Sequence, residues 1–240
     1  MGLLFVVGVV LFFVLAAVAL YQVRQRLEEG ELWYGLVPIG AAGALVAMLV
    51  QIGALLVYAR IAGLPTELPR AELIRRWDLL LINTALLGVL IEASKMYAVQ
   101  LVHTRLERGN WALYGMALGA GAGLLQALIK LGPRGYVAVT GAEPTLLAHL
   151  WLLPQSVALV AMEVALGGLL LYRSAEGRQA SGIALAGGLH AAALLVPGLL
   201  MRVEVAQPVY PMLNTLVFAV TALIAGGVLA SWVKRKGWPF

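Results

Sequence analysis

The chain contains no cysteine. Disulfides, iron–sulfur ligation and thiolate zinc sites are thereby excluded. Charge is scarce too: 12% of the 240 residues are Asp, Glu, Lys or Arg, against about a quarter in a soluble domain. Every polar interval is short, so nothing marks a second, soluble domain. The opening stretch "MGLLFVVGVVLFFVLAAVALYQV" lacks a basic n-region, and its apolar run is too long for a signal-peptide core. It is expected to be a retained first span. A nucleic-acid partner is not expected either. The net charge of +5 comes from basic residues at the ends of apolar runs, where Lys and Arg set topology and meet anionic headgroups.

What the chain has is apolar surface. Hydrophobic residues make up 62% of it, and the mean hydropathy is +0.91. No soluble core hides that much, so the expected class is an all-α, polytopic membrane bundle, one transmembrane domain over 1–240. A crossing helix needs roughly 20 predominantly apolar residues. Seven segments qualify, at about 2–23, 34–60, 77–102, 111–131, 146–172, 181–201 and 209–233. They are too long and unalternating for barrel strands, and lipid permits only helices or closed barrels.

Seven spans put the termini on opposite sides. The C-terminal "KRKGWPF" carries three basic residues and, with Arg24, Arg26, Arg105, Arg108, Arg173 and Arg178, its side totals nine. The other side totals seven, from Arg60, Arg70, Arg75, Arg76, Lys130, Arg134 and Arg202. The positive-inside rule then favours N-out, C-in. The interval "IAGLPTELPRAELIRRW" (61–77) reads as an interfacial helix or an ordinary connection.

Polar residues inside the spans are few and share a depth. Glu92 lies ten positions before the inner end of the third span, and Glu163 nine before that of the fifth; His190 is nine into the sixth. At ~1.5 Å per residue, all three sit roughly 14 Å from the inner edge. Ionisable groups there are costly and usually pair, facing a bundle interior. Two carboxylates and an imidazole can hold one zinc with a position open for water, or form a proton-sharing network. The blander alternative satisfies each separately with backbone or a neighbouring Ser, Thr or Asn. Lys95, one turn from Glu92, reads as an i,i+3 partner, a snorkelling ammonium, or the group that holds the carboxylate ionised and oriented.

The fourth span, "YGMALGAGAGLLQALIKL", places Gly115, Gly119 and Gly123 four apart, a small-residue stripe for close helix packing, and Gln126 continues that face. No basic residue or strand–turn–helix context makes it a phosphate loop. His103 and His149 fall near opposite membrane faces, as interface histidines. Trp33, Trp77, Trp111, Trp151, Trp232 and Trp238 lie mostly near span ends, as belt aromatics do. Pro154 and Pro197 are expected to kink spans five and six.

In this order the motifs resemble the intramembrane metalloprotease superfamily, which includes the YhfC, PrsW and CAAX-protease-like groups. "EASK" resembles its Glu-Glu-x-x-Lys/Arg helix, and "YGMALGAGAGLLQALI" the glycine-rich YhfC-type span. "AMEVALGGLLLY" resembles its Glu-Arg helix, and "GIALAGGLHAAALLVPGL" the helix bearing its last histidine. The match covers roughly residues 77–201. It departs at Ala93, at Ala120 or Ala122 in place of a histidine, at Gln126 for a glutamate, and at Val164 for an arginine.

The resemblance implies a zinc-dependent peptidase fold with Glu92, Glu163 and His190 at the metal and Glu92 and Lys95 as catalytic candidates. The departures imply a degenerate or weakly active member; the expected location is the cell membrane, multi-pass, of prokaryotic inner or plasma membrane type. Two other functions remain open: a non-catalytic scaffold or accessory subunit beside other membrane subunits, and a proton-coupled small-solute transporter.

Overall fold

The computed structural model describes residues 30–64, 76–102, 111–140, 151–202 and 209–236, with side chains over slightly shorter ranges. The expected first span (2–23), most of the 61–77 interval, His103, His149 and Trp238 lie outside the described residues. The elements are α1 (Gly30–Ile61), α2 (Trp77–Leu81), a π-helical turn (Ile82–Leu86), α3 (Leu87–Val102), α4 (Trp111–Thr140), α5 (Leu152–Ala175), α6 (Gln179–Arg202) and α7 (Val209–Lys236). Among the described residues no strand occurs, and six helical stretches are long and apolar enough to cross a membrane.

The chemistry of each face separates core from periphery. In α5 the most apolar window is 72% buried, and in α4 67%, whereas in α1 only 22% is. Thus α4 and α5 form the centre. Helix α1 backs α4 and α3, α6 packs on α3 and α5, and α7 on α5. The outer faces stay apolar: Leu45, Leu49, Leu56 and Val57 of α1 and Leu216, Leu223 and Ile224 of α7 are exposed. Exposed apolar faces of this kind are a liability in water and a match for lipid chains. Six such helices are compatible with an integral, multi-pass membrane protein. Trp77, Trp111, Trp151 and Trp232 stand at or near helix ends.

Small residues permit the tight centre. A Cβ on Gly115 would lie 2.1 Å from Gly167 O, and one on Gly119 2.1 Å from Glu163 O. A Cβ on Gly121 would fall 1.8 Å from Val37 O, on the other side of α4. One face of α4 thus lies backbone to backbone on α5, and another on α1.

Two helix ends close with the same glycine device. At Gly177 (φ 76°), Arg178 N donates to Arg173 O at 3.0 Å and Gly177 N to Ser174 O at 2.9 Å. At Gly63 (φ 65°), Leu64 N bonds Ala59 O at 2.8 Å and Gly63 N bonds Arg60 O at 3.3 Å. This is the Schellman closure, in which a left-handed residue lets the last carbonyls find donors.

Prolines act differently from the sequence expectation. Pro154 is the third residue of α5, in its first turn, where a missing N–H leaves no helical bond unmade. The expected kink in span five is thus corrected. Pro197 does lie inside α6, and so does Pro38 inside α1, which the sequence reading passed over. The third span carries an unforeseen feature, the π turn at Ile82–Leu86. Thr84 Oγ1 caps the Leu80 carbonyl at 2.7 Å, and Asn83 Oδ1 accepts from Gln51 Nε2 of α1 at 2.9 Å. One extra residue in a turn rotates everything after it by about 100° relative to an unbroken α-helix. Glu92 and Lys95 are among the residues so redirected.

Candidate metal centre

Four helices meet on one buried polar cluster. Helix α3 supplies Glu92 and Lys95, α4 supplies Gln126, α5 Glu163 and α6 His190. Both glutamates and the histidine are 0% exposed, Lys95 1% and Gln126 4%. Each arrives for a local reason. Gly88, one turn before Glu92, lets α3 approach α6 until a Cβ there would lie 2.6 Å from Ala191 N and 3.0 Å from the His190 carbonyl carbon. Gly119 and Gly123 bring α4 against the backbone and side-chain stem of Glu163. Helical side chains lean toward their own N-terminus. Gln126 and Glu163 sit on oppositely directed helices, so they lean toward each other.

The contacts form a chain of charge. Lys95 Nζ donates to Glu92 Oε1 at 2.7 Å and to Glu163 Oε2 at 2.5 Å. Gln126 Nε2 donates to Glu163 Oε1. His190 Nδ1 is 3.0 Å from Glu92 Oε1, and Nε2 is 3.3 Å from Glu163 Oε1. That second approach is close in distance but not aligned as a hydrogen bond. His190 Nε2 and Glu92 Oε2 are thus buried atoms without a hydrogen-bond partner among the described residues.

Charge counting shows what the cluster needs. Two carboxylates and one ammonium leave a single negative charge in a low-dielectric interior, where an unbalanced charge is severely penalised. The imidazole faces carboxylate oxygen at both ring nitrogens, yet a neutral ring has a proton on only one. A lone pair against a carboxylate oxygen is repulsive. One further positive charge closes the balance: a proton supplies it outright, and a divalent metal ion supplies it with one charge to spare.

The residues fit a metal by donor type. Glu92, Glu163 and His190 each offer a ligand atom, and these atoms lie within 4.8 Å of one another. Oxygen and imidazole nitrogen suit zinc and other borderline divalent ions. The two orphaned atoms belong to two of the three ligands. Lys95 already serves both carboxylates, so it neither snorkels nor pairs only along its own helix. Its bridge to α5 was not foreseen. Gln126, expected as a packing residue, donates its amide to Glu163 across the α4–α5 contact. Hydrogen-bonded partners of this kind fix the ligands of metal sites.

No protein-family model, curated protein or solved structure matches the chain. The fold and the site therefore rest on its own residues.

Proposed function

We propose that this membrane protein holds one divalent metal ion, zinc by donor type, on Glu92, Glu163 and His190, in a bundle of the intramembrane metalloprotease kind with little or no peptidase activity. The observation that carries this reading is the convergence of three fully buried ligand side chains from three helices, two of them with an orphaned ligand atom. A bound divalent ion supplies Lewis acidity and lowers the pKa of a coordinated water. The chain's own groups hold and balance. Gln126 orients Glu163, Lys95 offsets carboxylate charge, and the Gly119 contact fixes the α5 backbone beside the ligand. Hydrolysis also needs a proton acceptor near the water. Both carboxylates of the cluster are already engaged as ligands or with Lys95, which is why weak or absent turnover is the expected state. A first span at 2–23, giving seven in all, and the N-out, C-in orientation are proposed with it.

A second reading has its own support. Because Lys95 sits at ion-pair distance from both glutamates, a protonated His190 alone closes the charge balance. The cluster is then a metal-free keystone of a scaffold subunit. Metal content of detergent-purified protein separates the two. The metal reading predicts about one divalent ion per chain, lost in Glu92→Gln and in His190→Ala while the protein stays folded. Metal-free protein that remains so after equilibration with zinc, manganese or iron sinks the first reading and leaves the scaffold.

A further inference from the structure

A second polar site lies away from this cluster, at the membrane-end turn between α5 and α6, where α7 also ends. A pocket of about 390 Å³ is lined by Tyr172, Arg173, Glu176, Arg178, Trp232 and Arg235. Three guanidinium groups face one carboxylate there, so two positive charges are unbalanced. The pocket is built rather than incidental. The Schellman closure at Gly177 fixes the backbone of Arg178. The Arg173 guanidinium lies over the Trp232 ring, 4.7 Å from its centroid, and Trp232 stacks on Tyr172 at 5.9 Å.

The donors are only partly used. Arg173 Nη1 meets Glu176 Oε2 at 3.1 Å, which also occupies that carboxylate. Arg173 Nε is buried with no hydrogen-bond partner among the described residues. Among the described residues Arg235 makes only long contacts to Ser231, at 3.3 and 3.5 Å. Arg178 is exposed, and no side-chain partner for it occurs among the described residues.

We propose that this pocket binds the phosphate of an anionic phospholipid headgroup. Guanidinium forks match phosphate oxygens in pairs. The volume suits one headgroup rather than a large ligand. The stacked Tyr172–Trp232 pair stands where belt aromatics meet headgroups, and basic pockets between membrane helices are sites for anionic lipid. On the N-out, C-in orientation this is the inner leaflet, which carries such lipid. None of the pocket's residues belongs to the metal cluster, and only the assignment to the inner leaflet rests on the proposed orientation.

The test uses the full chain in neutral detergent, with thermal melting and retained-lipid assays as readouts. Phosphatidylglycerol, phosphatidylcholine and inorganic phosphate are the probes. The expected result is saturable stabilisation and retention with phosphatidylglycerol alone. Arg178→Gln combined with Arg235→Gln should weaken that binding about tenfold or more, since each charged hydrogen bond contributes on the order of a tenfold change. Both residues are exposed, so the variant should fold, checked by size exclusion. Lys234→Gln, an exposed neighbour outside the pocket, should leave binding unchanged. Equal response to phosphatidylcholine, or equal loss in Lys234→Gln, would overturn the site. Stabilisation by inorganic phosphate without any by phosphatidylglycerol would overturn the lipid as its ligand.

Discussion

Lys95→Met is expected to be the most damaging conservative-volume change in the chain, costing about 3–5 kcal/mol, the usual penalty for breaking a buried ion pair from one side. The ammonium is 1% exposed and lies within hydrogen-bond distance of both glutamates. In the metal-free protein, removing it leaves two fully buried carboxylates without that counter-charge. A typical domain has only about 5–15 kcal/mol to lose, so the substitution should remove a large share of the stability margin. The charge argument makes a sharper claim in the double variant. Glu163→Gln added to Lys95→Met removes one carboxylate with its counter-ion, and should recover a substantial part of the loss. Denaturant titration in mixed micelles measures both. Added zinc should restore part of the stability of Lys95→Met, because a divalent ion replaces the missing positive charge. A Lys95→Met protein as stable as the parent would mean that the ammonium is not the carboxylates' partner.

Gly119→Ala is expected to be destabilising despite a favourable intrinsic term. Alanine exceeds glycine in helix propensity by about 1 kcal/mol, so at an open site the substitution should help. At Gly119 the new Cβ would lie 2.1 Å from Glu163 O, a backbone atom. The helices must separate, and overpacking of this kind costs about 1–3 kcal/mol or more. Moving α4 also moves Gln126 away from Glu163, so metal retention should fall with stability. Gly226 of α7 is the control, since nothing lies within 4 Å of a Cβ there. Gly226→Ala should be neutral or stabilising in the same unfolding assay. The opposite order for the two variants would refute the backbone contact.

The bundle was legible because span length and apolarity are one-dimensional properties. The site was partly legible for the same reason: counting residues from a span end gives depth, and it put Glu92, Glu163 and His190 at one level. Rotation about the helix axis is a different quantity. The π turn at Ile82–Leu86 changes it for everything after it in the third span, and no turn signal in "INTAL" announces one. Partner choice was hidden as well. Lys95 had an obvious neighbour on its own helix, and its second partner, Glu163, is 68 residues away. Gln126 lies deeper along its span than the three ligands do along theirs, so depth alone did not group it with them. Only the lean of helical side chains on antiparallel neighbours joins it to Glu163. Arg173, Arg178 and Arg235 were read as topology charges, since nothing in their spacing shows that a turn and a helix end enclose one pocket.

The most direct test of the metal site is anomalous diffraction from crystals of the zinc-equilibrated protein. The account predicts a single peak enclosed by Glu92, Glu163 and His190, with ligand distances near 2.0–2.2 Å. A map without a peak there, with the Lys95 ammonium still bridging the two carboxylates and His190 between them, would contradict it.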